Sequence, residues 1–124
     1  MRILIIDDSS TMRRIIMNSL SRIGYTDIEQ AGDGKEGLAK VEQGNIDIIF
    51  TDWNMPIMNG LEFVLALRAS AYKATPLLMI TTNAAKEDII EALKAGVDNY
   101  VVKPFTPEVL REKLETLLKK YDKG

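Results

Sequence analysis

This sequence predicts an α/β fold, a parallel sheet covered by helices on both faces, and three observations predict it. Five short apolar runs alternate along the chain with segments whose apolar residues recur at helical spacing. Capping residues, glycine or proline punctuate the junctions between them. Strands joined by helices of roughly ten to fifteen residues require crossover connections, and those build parallel sheets.

The first run, Arg2-Ile3-Leu4-Ile5-Ile6, is continuous and apolar, as expected of a strand buried on both faces. Asp7 and Asp8 end it. Ser9 or Ser10 caps a helix in which Met12, Ile15, Ile16, Leu20 and Ile23 face inward and Arg13, Arg14 and Asn18 face outward. Gly24 stops it as a C′ residue. Asp27–Ala31 is a more polar strand, suited to a place nearer an edge. Asp33 and Glu36, spaced as an acidic capping box, open a short helix carrying Leu38 and Val41 and ending at Gly44.

Ile46–Thr51 is the third strand, with Ile48, Ile49 and Phe50 as its apolar centre. It breaks into Asp52-Trp53-Asn54-Met55-Pro56, where Pro56 turns Met55 away from helix. Asn59 and Glu62 cap a third helix carrying Leu61, Val64, Leu65 and Leu67. Leu77–Ile80 is a fourth strand ending in Thr81, Thr82 and Asn83. A helix from about Lys86 to Ala95 shows Ile89, Ile90 and Leu93 on one face, and Gly96 stops it. Asn99–Val102 is the fifth strand, ending in Lys103-Pro104. Thr106 as N-cap with Pro107 at N1 starts a last helix that buries Leu110, Leu114, Leu117 and Leu118.

At 124 residues the chain reads as one domain, 1–124, long enough to bury a core. A net charge of -2 provides no basic field for nucleic acid or anionic membrane. Without a membrane-length apolar run or a signal peptide, a cytoplasmic protein is expected; a monomer is expected too, although the sequence does not fix the oligomeric state. Cysteine and histidine are both absent, which removes thiolate and imidazole chemistry, cysteine-bound zinc and histidine metal ligation. Carboxylates are left as metal ligands, and they suit hard cations such as Mg²⁺ or Ca²⁺.

The polar residues that end the strands define a candidate site. In a parallel sheet, Asp7, Asp8, Asp52, Thr81 and Lys103 all fall on one edge, where open α/β sheets bind ligands. Taken singly, each has a plain structural reading: Asp7, Asp8 and Asp52 as turn or cap acids, Thr81 as a strand-end hydroxyl, Lys103 as a solvated lysine. Trp53 and Tyr100 likewise read as packing or interface aromatics. Together they describe chemistry. Three converging carboxylates repel one another, and a divalent cation relieves that repulsion. Mg²⁺ would take Asp8 directly, Asp7 directly or through water, and one oxygen of Asp52. The second Asp52 oxygen is then a nucleophile able to form an aspartyl phosphate, with Lys103 and the Thr81 hydroxyl neutralising the phosphoryl oxygens. No general base is needed, because the carboxylate is already ionised.

Several stretches resemble the motifs of two-component response regulator receiver domains. They are Asp7-Asp8, Thr51-Asp52-Trp53-Asn54-Met55-Pro56, Met58-Asn59-Gly60, Ile80-Thr81-Thr82 and Tyr100-Val101-Val102-Lys103-Pro104-Phe105. The likeness spans essentially the whole chain. It is strongest to the family's single-domain chemotaxis regulators, through Asp7–Ile15 and Asp52–Pro56.

The resemblance implies a flavodoxin-like (βα)5 doubly wound sheet of order 2-1-3-4-5; that order is a known property of the family and is not read from spacing. It also implies Asp52 as phosphoacceptor, Asp7 and Asp8 as the acidic metal pair, and the Asn54 backbone carbonyl as a Mg²⁺ ligand. Lys103 would contact the phosphoryl group across a cis bond to Pro104. Thr81 and Tyr100 would form the switch pair, with Lys86, Ile89, Tyr100 and Lys113 on the output face. Asn54 and Asn83 occupy the positions that tune phosphate lifetime, and the family's chemotaxis members commonly carry an acid at the second.

The implied partners are a histidine kinase, the flagellar motor switch protein and, as a further possibility, a phosphatase. A phosphorelay intermediate that passes its phosphate to a histidine phosphotransfer protein remains an alternative. An aspartate-nucleophile phosphatase would need an acid where Asn54 stands, and a flavin binder would not place Asp7 and Asp8 in its phosphate loop.

Overall fold

The computed structural model describes residues 1–82 and 85–122. In chain order it runs β1 (Ile3–Ile6), α1 (Ser10–Arg22), β2 (Ile28–Ala31), α2 (Gly34–Glu42), β3 (Ile48–Thr51), α3 (Gly60–Arg68), β4 (Leu77–Thr81), α4 (Lys86–Ala95), β5 (Asn99–Val102) and α5 (Pro107–Asp122). The five strands are parallel and ordered β2-β1-β3-β4-β5, as the resemblance implied. Asn83 lies outside the described residues.

Period-two alternation divides the strand side chains between two cores. Leu4, Ile6, Ile49, Leu77 and Met79 point to the face covered by α2, α3 and α4, where they meet Val41, Phe63, Val64, Leu67 and Ala92. Ile3, Ile5, Ile48, Phe50, Leu78, Ile80 and Val101 point to the other face, against Ile16 and Leu20 of α1 and Leu110, Leu114 and Leu117 of α5. The central strands β1, β3 and β4 are buried along their length, so their sequences are apolar up to the buried threonines, Thr51 and Thr81, that end β3 and β4.

The helix starts follow their capping residues. Ser9, Asp33 and Asn59 each accept a backbone N–H three residues on, and Thr106 accepts that of Val109. Asn59 and Glu62 close a full capping box. The Asp33–Glu36 pair differs: the Glu36 carboxylate reaches one residue further back and accepts the N–H of Gly32.

Three helix faces depart from the expected pattern. Ile15 is 45% exposed, because the buried stripe of α1 runs through Ile16 and Leu20, one residue and about 100° away. Leu65 is 54% exposed, while its neighbour Phe63 is fully buried and anchors α3. On α4, Ile90 and Leu93 are exposed and Ala92 is the buried contact. β3 also starts two residues later than expected: Asp47 instead ties the sheet's lower edge to Arg2, donating its N–H to the Arg2 carbonyl and accepting the Arg2 N–H on its carboxylate.

Phe63→Ala is therefore expected to cost about 3–5 kcal/mol, whereas Leu65→Ala should stay within about 0.5 kcal/mol of the parent. Urea unfolding of the two variants checks this. Comparable losses would contradict the assigned α3 face.

Candidate functional site

Strand register builds the site. β1 and β3 pair Ile6 with Thr51, and the Asp52 N–H continues the ladder by donating to the Ile6 carbonyl at 2.9 Å. One step beyond, Asp7 and Asp52 are therefore neighbours across two adjacent strands. Asp7 is also tied to β2, donating its N–H to the Ala31 carbonyl. On the far side, β4 pairs Thr81 with Val102, and the Lys103 N–H donates to the Thr81 carbonyl at 2.9 Å.

These backbone bonds bring the side chains together. A carboxylate oxygen from each of Asp7, Asp8 and Asp52 lies within 4.8 Å of the other two. The Lys103 Nζ stands between two of them, 3.2 Å from Asp7 Oδ2 and 3.5 Å from Asp52 Oδ1. Asp7 is buried, Asp52 half-buried and Asp8 exposed, so the cluster opens to solvent on the Asp8 side. Asp7 Oδ1 accepts the Ser9 N–H at 2.9 Å and Asp52 Oδ1 accepts the Trp53 N–H at 2.8 Å. Both carboxylates are thus aimed by the backbone that follows them. The all-oxygen donor set fits a hard divalent cation, and Lys103 adds a fixed positive charge beside it.

Burial pushes the Asp52 carboxyl above its ordinary value, and the nearby Asp7 charge adds to that rise. Attraction to Lys103 and the Trp53 N–H oppose it without cancelling it.

The loop after Asp52 is held close. The Gly60 N–H donates to the Trp53 carbonyl at 2.8 Å, and a Cβ at Gly60 would fall 2.0 Å from the Asp52 carbonyl oxygen. Only glycine lets α3 start against the backbone of Asp52. Ile57, in the same loop, has φ 68° and is 78% exposed, a left-handed conformation that a β-branched residue rarely adopts. Asn54 is exposed immediately after Trp53, which is buried in the core beneath the loop.

The remaining sequence-selected residues lie along β4, β5, α4 and α5. Thr81 is buried at the end of β4. Tyr100 pairs with Met79 and so shares the sheet face of Thr81, one alternation back along the strands. The Lys113 Nζ of α5 lies 5.2 Å from the centre of the Tyr100 ring. Lys86 and Ile89 sit on α4, the first exposed and the second partly buried. The peptide between Lys103 and Pro104 is cis.

Arg13 is the residue that sequence reasoning misplaced. Expected on the solvent face of α1, it is half-buried and curls back toward the sheet. Its Nη1 donates to the Asp7 carbonyl and its Nε donates to Gln30 Oε1 at 3.0 Å. Its place in the first turn after an acidic strand end was the only available signal.

With this geometry established, comparison with known proteins is informative. The response regulator receiver domain family matches residues 3–115. The chemotaxis protein CheY1 of Helicobacter pylori is 54% identical over 120 residues, covering 95% of this chain and 97% of that protein. The chemotaxis protein CheY of Pseudomonas aeruginosa is 50% identical over 121 residues, 97% of this chain and 98% of that one. Among solved structures, Vibrio cholerae CheY4 superposes with a TM-score of 0.86 at 41% identity, over 94% of this chain and 97% of its own.

Because Asp52 has a raised pKa, its ionisation opposes folding. The unfolded carboxyl loses its proton first as pH rises, so this group's contribution to stability falls from about pH 4 upward. Asp52→Asn is expected to stabilise the metal-free protein near neutral pH and to lose that advantage below about pH 4. Urea midpoints measured in chelator at both pH values test this; destabilisation by Asp52→Asn near neutrality would contradict it.

Proposed function

This chain belongs to the response regulator receiver domain family, and we propose that it is a phosphorylation-driven switch of a two-component chemotaxis system. Asp52 accepts a phosphoryl group from a phosphohistidine of a histidine kinase. A carboxylate oxygen of Asp52 attacks phosphorus, the phosphorus–nitrogen bond breaks, and the imidazole departs with the bonding pair. No proton has to leave Asp52.

The observation that carries the reading is the convergence of Asp7, Asp8 and Asp52 within 4.8 Å, with the Lys103 ammonium 3.5 Å from Asp52. Asp7, Asp8, Asp52 and the backbone carbonyl of Asn54 would hold Mg²⁺, which supplies positive charge against the phosphoryl oxygens. Lys103 takes a second phosphoryl oxygen and Thr81 turns its hydroxyl toward a third. That motion frees space on the face shared with Tyr100 and biases a two-state equilibrium. The signal leaves through the surface of α4, β5 and α5, where Lys86, Ile89, Tyr100 and Lys113 stand, to a flagellar motor switch protein in the cytoplasm. Among the described residues no helix is long and apolar enough to cross a membrane. Asn54 and Asn83 would set how long the phosphate lasts.

Mg²⁺ with acetyl phosphate or a phosphorylated histidine kinase is expected to add one hydroxylamine-labile phosphoryl group, mapping to Asp52. Asp52→Asn should gain none, and Lys103→Ala should react about 100-fold more slowly. BeF₃⁻ with Mg²⁺ should change Trp53 fluorescence in the parent only. Labelling that survives Asp52→Asn in full would refute the assignment.

A further inference from the structure

Asp7 is held at four points. Its N–H donates to the Ala31 carbonyl, its Oδ1 accepts the Ser9 N–H, and its Oδ2 faces the Lys103 ammonium at 3.2 Å. The fourth hold, on its carbonyl oxygen, comes from Arg13. That carbonyl belongs to the peptide joining Asp7 to Asp8, so its direction sets where the Asp8 backbone, and with it the exposed Asp8 carboxylate, starts. Arg13 is itself braced, because its Nε is bound by the Gln30 side chain on β2. A planar guanidinium serves two acceptors in fixed relation, which a lysine ammonium cannot do in the same way.

We infer that Arg13 is a positioning residue for the acidic cluster: by clamping the Asp7–Asp8 peptide against β2, it preorganises the Asp8 carboxylate for a divalent cation. The inference rests on the reading of Asp7, Asp8 and Asp52 as a Mg²⁺ site. Charge alone argues the other way. A guanidinium beside three carboxylates repels an incoming cation, so removing it would tighten Mg²⁺ binding if Arg13 did nothing but contribute charge. The two effects have opposite signs, and that makes the assignment decidable. Outer residues that orient metal ligands typically contribute about 10–100-fold in affinity, more than an exposed like charge removes in water.

The test is calorimetric titration of Mg²⁺ into the full chain and into Arg13→Ala, Arg13→Lys, Gln30→Ala and Asp8→Asn, with urea unfolding of each in chelator. Arg13→Ala and Arg13→Lys are both expected to bind Mg²⁺ about tenfold more weakly, although Arg13→Lys keeps the charge. Gln30→Ala should show a smaller loss of the same sign. In the metal-free proteins, amide chemical-shift changes should concentrate at Asp7–Ser10 and Gln30–Gly32. Should Arg13→Ala fail to fold, Arg13→Lys and Gln30→Ala carry the decision. Binding that is unchanged or tighter in the Arg13 variants, with Asp8→Asn still weakened, overturns the positioning role and leaves the metal site standing. Equal Mg²⁺ binding by the parent and Asp8→Asn removes the metal site itself, and the inference with it.

Discussion

The pairing of β1 with β3 in a single parallel register places two carboxylates side by side at the end of the ladder. Ile6 opposite Thr51 leaves Asp7 opposite Asp52, and both strands are too deeply buried to slip. A slip of one residue would turn every Ile and Leu of β1 toward the wrong core. The two apolar cores that bury these strands therefore fix where the two carboxylates stand. Lys103 is delivered to the same point by β5 through its backbone bond to Thr81, and its ammonium attracts Asp52 more strongly than Asp7 repels it, leaving burial as the larger opposing effect.

The compensation is incomplete, and that is where structure meets function. Asp52 remains harder to ionise than an ordinary aspartate, because burial and Asp7 together outweigh Lys103 and the Trp53 N–H. A cluster poised in this way favours anything that adds positive charge, such as a hard cation bound by the acids. The surrounding backbone is built tightly enough to keep the groups from moving apart. Gly60 brings α3 against the Asp52 carbonyl, and Ile57 accepts a strained φ in the connecting loop.

Much of this was legible in the sequence because of how parallel sheets bury their strands. A strand covered on both faces reads as an apolar run that polar residues end, so Asp7, Asp52 and Thr81 mark the ends of β1, β3 and β4 on one edge, while β5 is only partly covered and Lys103 is marked by following Val101 and Val102. Capping chemistry located the helix starts for the same local reason. The strand order came from family resemblance, since spacing alone does not set it. Helix faces were less legible: Ile15 beside Ile16 and Leu65 beside Val64 differ by one step of the helix, and only packing decides which is buried. Arg13 was misread because a long side chain can return to the sheet from a helix position that appears to face solvent. The direction of such a side chain depends on acceptors that lie on other strands.

The most direct measurement of the central claim is the titration of the Asp52 carboxyl, followed by carbon NMR of aspartate-labelled protein with and without Mg²⁺. A buried carboxylate that also faces the Asp7 charge, and that a cation can relieve, predicts that Asp52 titrates above an unperturbed aspartate in chelator and that saturating Mg²⁺ moves its midpoint down. An Asp52 that titrates at the ordinary aspartate value and does not respond to Mg²⁺ would contradict the account.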